Sequence, residues 1–280
     1  MKADPGAAPD RMVAARRFRF AARHGWRNIH ATPPKRDSAM RMLALLMLCL
    51  LATSARAAES VDVALVLVAD VSRSIDDSEF ELQKQGYVAA FTDPKVLAAI
   101  TGGMNGAISV AYVEFAGVGE VRTVIDWTTI RDAASARSFA GRLQASPRSF
   151  WGHTSISAGV DQAMQLLAET DFQAQRRVID VSGDGTNNSG RDAGAARDDA
   201  VAAGVTINGL AIINEHPVSW AFAHVQPPGG LGNWYRENVI GGTGSFVEEV
   251  HDFHDFGEAL THKLINEISE VAPGVRRGNG

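Results

Sequence analysis

VDVALVLVAD, residues 61–70, is almost continuously apolar and decides the fold of this chain. A strand of this composition is covered on both faces, as in parallel sheets, which carry their functional groups at the carboxyl ends of the strands. The run ends in Asp70, and Ser72 and Ser74 follow at alternate positions. Three small oxygen-bearing side chains therefore lie where a buried strand stops. They suit a divalent cation, although Ser74 or Asp76 also suits the N-cap of a following helix.

Two further segments bring oxygen atoms to the ends of predicted elements. In WGHTSISAG, residues 151–159, a glycine-led turn places the hydroxyl of Thr154 just before a helix with apolar residues at helical spacing. In RVIDVSGDG, residues 177–185, a second apolar strand ends in the turn that contains Asp184. The three segments are expected to meet at one edge of a parallel sheet.

These segments resemble the metal-ion-dependent adhesion site (MIDAS) of the von Willebrand factor A (VWA) domain family. That site is built from D-x-S-x-S, a Thr in a second loop and an Asp in a third loop. The resemblance covers residues 61–268 and carries the ligand roles onto five residues: Asp70, Ser72, Ser74, Thr154 and Asp184. It implies an open coordination position that takes an Asp or Glu of a partner protein. Two carboxylates and three hydroxyls favour Mg²⁺ or Mn²⁺.

The order of apolar and amphipathic segments predicts an α/β domain with a doubly wound, mostly parallel sheet, helices on both faces and one antiparallel edge strand, as in the Rossmann-like VWA fold. The predicted strands are 61–69, 107–115, 121–127, 177–182, 205–212 and 245–250. The predicted helices are 77–91, 132–143, 155–168, 192–203 and 253–268.

Residues 1–57 differ in composition from the rest of the chain. They hold 11 Lys and Arg against three Asp, a charge of +8, whereas the remainder has 16 basic and 29 acidic residues, a charge of −13. Residues 40–57 match a secretory signal peptide with cleavage after Ala57, and an uncleaved anchor is the alternative. Residues 1–39 are interpreted as an upstream extension from a misassigned start, or as a disordered basic arm that binds nucleic acid.

The remaining residues are assigned to one VWA-like domain, 58–272, and a flexible tail, 273–280. Cys49 is the only cysteine and lies within the signal's apolar core, so the domain itself is expected to lack disulfides and thiolate ligands. Lipidation at Cys49 is disfavoured because Leu48 stands where a lipoprotein signal has a small residue.

Three other patterns have ordinary structural interpretations. His254, Glu258 and His262 share one helix face that can hold zinc, but an adjacent apolar stripe favours a solvated face for them. DGTNNSGRD, residues 184–192, lacks the Gly and Glu of an EF-hand, so Asn187, Asn188 and Ser189 are interpreted as turn residues, with a minor role at the rim of the metal as a further option. The segment 214–238 is either a partner-binding excursion or a loop pinned by its aromatic residues.

The sequence thus predicts a periplasmic or secreted protein-binding module without catalytic activity, nucleic-acid binding or stable membrane insertion after signal cleavage. Trp151, one turn from Thr154, is a candidate partner contact, with packing beneath its loop as the alternative. The enzymatic alternative is a metal-dependent hydrolase or phosphatase that uses Asp70 as nucleophile or Asp184 as base. It is weaker because Ser72 stands where a phosphatase of the haloacid dehalogenase type has its second Asp.

Overall fold

A six-stranded sheet with helices on both faces forms the domain. The computed structural model describes residues 58–213 and 227–269. The strands are β1 (Ser60–Asp70), β2 (Ile108–Phe115), β3 (Val121–Ile130), β4 (Gln173–Gly183), β5 (Thr206–Ile212) and β6 (Val247–Val250). The helices are α1 (Asp77–Thr92), α2 (Pro94–Thr101), α3 (Ala133–Ala145), α4 (Ile156–Ala168), α5 (Ala193–Ala202), α6 (Leu231–Asn238) and α7 (Phe256–Ser269), with a 3₁₀ turn at Phe253–Asp255 before α7.

The strand that the sequence marks as most apolar lies at the centre of the sheet. The strand order is β3-β2-β1-β4-β5-β6, and only β3 runs antiparallel to its neighbour. Every residue of β1 after Ser60 is buried. This arrangement confirms the predicted doubly wound fold with one antiparallel edge strand. It also places the carboxyl ends of β1 and β4 side by side, with Ala69 opposite Ser182.

Side chains alternate between two hydrophobic layers along each central strand. Odd-numbered residues of β1 pack against α1, α2, α3 and α7, and even-numbered residues such as Val66 and Val68 pack against α4, α5 and α6. Both faces are therefore dry. The polar groups that end β1 and β4 lie at the rim of this core, where loops reach solvent.

Local capping explains where the first helices begin. Asp76 accepts hydrogen bonds from the backbone N–H groups of Ser78 and Glu79, and the Glu79 carboxylate accepts from Asp76 N–H, which is a complete capping box. The N-cap of α1 is therefore Asp76, and Ser74 stays available to the loop. Asp93 caps α2, whose first residue is Pro94.

Several boundaries differ from the sequence predictions. Helix α2 was not predicted, and β4 begins at Gln173 rather than at residue 177. Residues 231–238, predicted as part of a long connection, form α6, whereas residues 214–226 lie outside the described residues. The segments 1–57 and 270–280 lie outside them as well.

The His and Glu side chains in and just before the last helix have the solvent exposure that was predicted. His254, Glu258 and His262 are exposed, while Leu260 and Leu264 pack into the core. The expected solvated face is thus confirmed. No helix within residues 58–213 and 227–269 has the length and apolarity required to cross a membrane.

Candidate metal centre

The five side chains assigned from the sequence come together in three adjacent loops. Asp70 is the last residue of β1, and Ser72 and Ser74 lie in the loop that leads to α1. Thr154 lies two residues before α4, and Asp184 directly follows β4. Because β1 and β4 are neighbouring parallel strands, their carboxyl ends present the first and third loops at one edge of the sheet. The second loop follows α3 and is held at the same edge by a hydrogen bond from the Thr154 N–H to Asn188 Oδ1.

A hydrogen-bond network joins the hydroxyl and carboxylate oxygens of these residues. The Ser72 and Ser74 hydroxyl oxygens are 2.9 Å apart, and the Ser74 hydroxyl donates to Asp184 Oδ1 over 3.0 Å. The Thr154 hydroxyl donates to Ser72 Oγ over 3.1 Å. Asp70 joins through its Oδ1, which accepts from the Ser72 backbone N–H over 2.7 Å. Residues more than a hundred positions apart therefore share one cluster of oxygens.

Four of the five candidate ligand residues are buried, and one is more accessible to solvent. Asp70, Ser72, Thr154 and Asp184 are all at most 3% exposed, whereas Ser74 is half-buried. A ligand that approaches from solvent therefore meets the site at Ser74. The two carboxylates are held away from bulk water, which strengthens their attraction for a cation.

The spacing and chemistry of these oxygens fit a small hard cation. An octahedral ion with ligand distances of about 2.1 Å sets neighbouring ligand oxygens about 3.0 Å apart. The contacts among Ser72, Ser74, Thr154 and Asp184 are all within 0.1 Å of that spacing. In the described part of the chain, no three His, Cys, Asp or Glu side chains group closely enough to hold a metal. The hydroxyls are therefore essential to this donor set.

Arg148, which sequence reasoning did not select, lies beneath the first loop. Its guanidinium donates to the backbone carbonyl oxygens of Val71 and Ser72, at 2.9 and 2.7 Å. The side chain is only 4% exposed, and the guanidinium carbon lies 5.6 Å from the ring centre of Phe80 and 4.9 Å from that of Trp151. Arg148 thus fixes the backbone that carries the first-loop hydroxyls.

Trp151 covers Arg148 but remains open to solvent. Its side chain stacks over the guanidinium, and the residue is 57% exposed. Trp151 therefore has one face packed on Arg148 and another open to solvent. Contact with a partner stays a prediction, with packing as its alternative.

A buried carboxylate supports the loop that carries Arg148. Glu114, near the end of β2, is 1% exposed, and its carboxylate accepts a hydrogen bond from the Ser149 backbone N–H over 2.8 Å. Burial raises the pKa of Glu114 above its ordinary value, opposed by the hydrogen bonds from Ser149 and the charge of Arg148. Glu114 therefore ties the second loop to the sheet.

Asn187 and Asn188 connect the second and third loops and do more than form a turn. Asn188 Oδ1 accepts from the Thr154 backbone N–H over 2.9 Å, and the Asn188 N–H donates to the Thr154 carbonyl oxygen over 2.9 Å. Asn187 Oδ1 accepts from the N–H of Ser157 in the first turn of α4, where Ser155 provides no side-chain cap. The backbone of Thr154 is thus held on both sides by the loop that supplies Asp184.

Comparison with known proteins identifies the family of this chain. Residues 60–272 match the family described as "Protein of unknown function (DUF1194)". The chain belongs to this family. No match is found among curated proteins. The DUF1194 family assignment spans all six strands and all three loops of the candidate site.

Solved structures show which fold this DUF1194 chain has. Proximal thread matrix protein 1 from the mussel byssus, in a structure with a zinc-occupied MIDAS motif, is 18% identical with a TM-score of 0.52. That match covers 76% of this chain and 49% of the mussel chain. The pilus adhesin SpaC from Lactobacillus rhamnosus GG, in an open conformation, is 16% identical with a TM-score of 0.51, over 75% of this chain and 30% of the adhesin.

These similarities establish a shared fold and nothing finer. The DUF1194 chain spans less than half the length of the mussel chain and less than a third of the adhesin. Together with the strand order, they confirm the VWA-type α/β fold that the loop motifs implied.

Proposed function

We propose that this DUF1194 chain is an exported protein-binding module that holds a divalent cation and uses it to bind an acidic side chain of a partner. The observation that carries the proposal is the convergence of the Ser72, Ser74, Thr154 and Asp184 oxygens, 2.9–3.1 Å apart in a chain of contacts. Asp70 joins this cluster through its hydrogen bond from the Ser72 N–H.

The ligands carry little enough negative charge that a bound divalent cation still attracts a carboxylate from a partner. Asp70 and Asp184 supply two negative charges, and the three hydroxyl ligands supply none. Arg148 adds a positive charge within the same group of loops and interacts electrostatically with both carboxylates. When bound, the ion provides the concentrated positive charge that an acidic domain otherwise lacks. Mg²⁺ or Mn²⁺ suits these hard oxygen donors.

The residues around the opening suit a protein partner. Ser74 forms the accessible side of the site, and Trp151 exposes its indole beside it. Aromatic residues of this kind are frequent anchors in protein interfaces. A partner carboxylate at the ion and a partner apolar group on Trp151 together define an acidic, partly apolar recognition segment.

The hydrolase alternative gains no support from the geometry. Asp70 is fully buried, and its Oδ1 accepts the Ser72 N–H hydrogen bond, so its carboxylate is not presented to a substrate as a nucleophile. Asp184 is 1% exposed and accepts from the Ser74 hydroxyl. These contacts support ligand roles for both carboxylates.

Titration calorimetry with Mg²⁺ and Mn²⁺ tests the site itself. Asp70→Ala and Asp184→Ala are each expected to abolish binding without unfolding the domain, because the sheet beneath the loops is buried independently of them. Asp171→Ala is the matched control, since Asp171 is exposed just before the amino end of β4, at the opposite edge of the sheet. Normal affinity in both ligand variants contradicts the assignment.

A pull-down from periplasmic extract tests the mode of binding. The captured partner is expected to be lost in EDTA and in Thr154→Ala, and retained in Thr154→Ser, which keeps a hydroxyl ligand. A partner that persists in EDTA and with Thr154→Ala shows that the ion does not bridge the two proteins.

Export rests on residues 40–57, which lie outside the described residues. Expressed from Met40 or Met42 in a secreting host, the protein is expected outside the cytoplasm with Ala58 at its N-terminus. Intact mass and N-terminal sequencing measure this directly. A mature protein that still contains Cys49 contradicts signal cleavage and favours an anchor.

A further inference from the structure

Tyr235 of α6 carries a buried hydroxyl directly beneath the candidate metal centre. The residue is fully buried, and its phenol oxygen has no hydrogen-bond partner within the described residues. A buried hydroxyl without a partner is costly, by roughly 1–3 kcal/mol, and is uncommon in native proteins. A specific role for this oxygen is therefore required.

Two glycines on neighbouring strands create the space that Tyr235 occupies. A Cβ atom on Gly209 of β5 would lie 2.8 Å from a ring carbon of Tyr235. A Cβ atom on Gly183 of β4 would lie 2.8 Å from the Tyr235 hydroxyl oxygen. Real Cβ atoms do not make contacts this short, so Tyr235 occupies space that is open only because both residues are glycine. The hydroxyl points toward the carboxyl ends of the strands.

The same glycine shows where the hydroxyl points. The Cβ position of Gly183 is also 3.0 Å from Asp70 Oδ2. The phenol oxygen and the Asp70 carboxylate are thus both within 3.0 Å of one point, and they do not form a direct hydrogen bond. Since the two oxygens lie 2.8 Å and 3.0 Å from that point, they are at most 5.8 Å apart, a range within which a single ordered water makes two bridging hydrogen bonds.

The hydroxyl stays protonated in these surroundings. Burial raises the pKa of the Tyr235 phenol well above its ordinary value, and the carboxylates of Asp70, Asp184 and Asp180 raise it further. The phenol is therefore a neutral donor that faces anionic acceptors.

We propose that Tyr235 is a positioning residue of the metal centre, whose hydroxyl holds the Asp70 carboxylate in ligating orientation through one ordered water. This inference rests on the proposed metal-binding function and adds a supporting residue from α6, outside the three ligand loops. Groups that orient metal ligands in this way typically change metal affinity by 10- to 100-fold when they are removed.

Tyr235→Phe tests the proposal because it removes the oxygen and keeps the ring in the space that the two glycines leave open. Mn²⁺ affinity, measured by calorimetry on the purified full chain, is expected to fall about tenfold. The melting temperature without metal is expected to change little, because the ring keeps its packing and only a water-mediated contact is lost. The stabilisation gained on adding Mn²⁺ should shrink accordingly.

Tyr87→Phe provides the contrasting control. Tyr87 is also fully buried, but it lies on the opposite face of the sheet and its hydroxyl is 2.8 Å from Ser182 Oγ. Its loss is expected to lower the melting temperature and to leave Mn²⁺ affinity near that of the wild type. A variant Tyr235→Phe that binds Mn²⁺ normally, or that loses melting temperature as Tyr87→Phe does with its affinity intact, overturns the proposal. Wild-type protein that binds no Mn²⁺ refutes the metal site itself and is thereby distinguished from failure of the Tyr235 role.

Discussion

The guanidinium of Arg148 donates a hydrogen bond to the backbone carbonyl oxygen of Ser72 over 2.7 Å. The contact joins the second loop to the first through the main chain, and a second bond to the Val71 carbonyl oxygen, at 2.9 Å, fixes its orientation. Both of these bonds come from Nη2, while Nε of the same planar group donates to the Phe150 carbonyl oxygen over 3.0 Å. A lysine ammonium, with a single nitrogen, cannot make both sets of contacts from one rigid plane. The first-loop hydroxyls therefore depend on a residue that is not itself a ligand.

Arg148→Lys is expected to weaken Mg²⁺ or Mn²⁺ binding by about tenfold, because it keeps the positive charge and removes the planar group that orients the loop. Calorimetry on the folded variant measures this effect separately from a change of net charge. Arg122→Lys is the control, since Arg122 is exposed and stacks on Phe150 at 5.6 Å in a similar way. Unchanged affinity in Arg148→Lys shows that the loop is positioned without the guanidinium.

The proposed ligands could be selected from the sequence because each lies next to a strong local pattern. The continuous apolar run of β1 and the second apolar run of β4 mark buried parallel strands, so Asp70 and Asp184 fall at their carboxyl ends. The supporting residues have no such local mark. Arg148 contacts a carbonyl 76 positions away, and Asn188 contacts Thr154 from 34 positions away. Such contacts depend on how the loops pack.

Helices α2 and α6, which were not predicted from the sequence, also depend on contacts that a local pattern does not show. The Asp93-Pro94 pair is a legitimate start signal, an N-cap followed by proline at the first helical position, but α2 has only eight residues and buries only Val96 and Ile100. Helix α6 has no side-chain cap, because its N-cap is Gly230, which has no side chain. Its order follows from the packing of Leu231 and Tyr235 into the core, which depends on the tertiary fold.

Trp151→Ala separates an interface role from a structural one. Because the indole is largely exposed, its removal should cost the free protein only the stacking on Arg148, roughly 0.5–1 kcal/mol. Metal-dependent partner binding is expected to weaken by about 1 to 3 kcal/mol, as for other aromatic anchors. Binding assays and thermal melts on the same preparation give the two values.

Trp127→Ala is the matched comparison for that experiment. Trp127 packs edge-to-face on Phe172 at 5.1 Å and donates to the Leu166 carbonyl oxygen, away from the site. Trp127→Ala should lower the melting temperature and leave the affinity of the folded protein for the partner unchanged. If Trp151→Ala behaves in the same way, its indole is not a partner anchor.

A buried charge cluster beneath α7 is expected to make stability depend on pH. Lys263 is fully buried; its ammonium lies 2.6 Å from Asp180 Oδ1 and also pairs with Glu267, which accepts from Asn208 over 2.8 Å. Burial, and then the charge of Asp180, raises the pKa of Glu267 from 4.5 to about 7. Between pH 4.5 and about pH 7, Glu267 holds a proton in the folded protein and releases it in the unfolded chain. The contribution of Glu267 to stability is therefore full below pH 4.5 and is lost as the pH rises through 7.

Glu267→Gln tests this expectation. It keeps an oxygen acceptor for Asn208 and Lys263 and removes the titration, so the difference in unfolding free energy between wild type and variant should change between pH 5 and 8. The slope from one such group is at most about 1.4 kcal/mol per pH unit. Urea unfolding at several pH values measures it. Glu258→Gln changes an exposed residue of the same helix, and its unfolding free energy should depend on pH as that of the wild type does. If the unfolding free energy of Glu267→Gln also depends on pH as the wild type does, the Glu267 carboxylate stays ionised in the folded protein.

Gly183→Ala is expected to disturb the metal centre from below, because the added methyl would stand 2.8 Å from the Tyr235 hydroxyl and 3.0 Å from Asp70 Oδ2. Both unfolding free energy and Mn²⁺ affinity should fall, the affinity by about tenfold if Asp70 is displaced. Tyr235→Phe removes the closest of the three crowding atoms, so Gly183→Ala should cost less in that background than in the wild type. A double-mutant cycle over the four proteins measures the coupling.

The control for this cycle is Gly141→Ala on α3. No atom lies within 4 Å of its Cβ position, so the substitution should stabilise the exposed helix by up to about 1 kcal/mol and leave Mn²⁺ affinity unchanged. Coupling of at least about 0.5 kcal/mol between Gly183→Ala and Tyr235→Phe is expected for atoms in contact. Strict additivity instead means that the methyl acts on Asp70 alone, and that the absence of a side chain at residue 183 serves the carboxylate rather than the tyrosine hydroxyl.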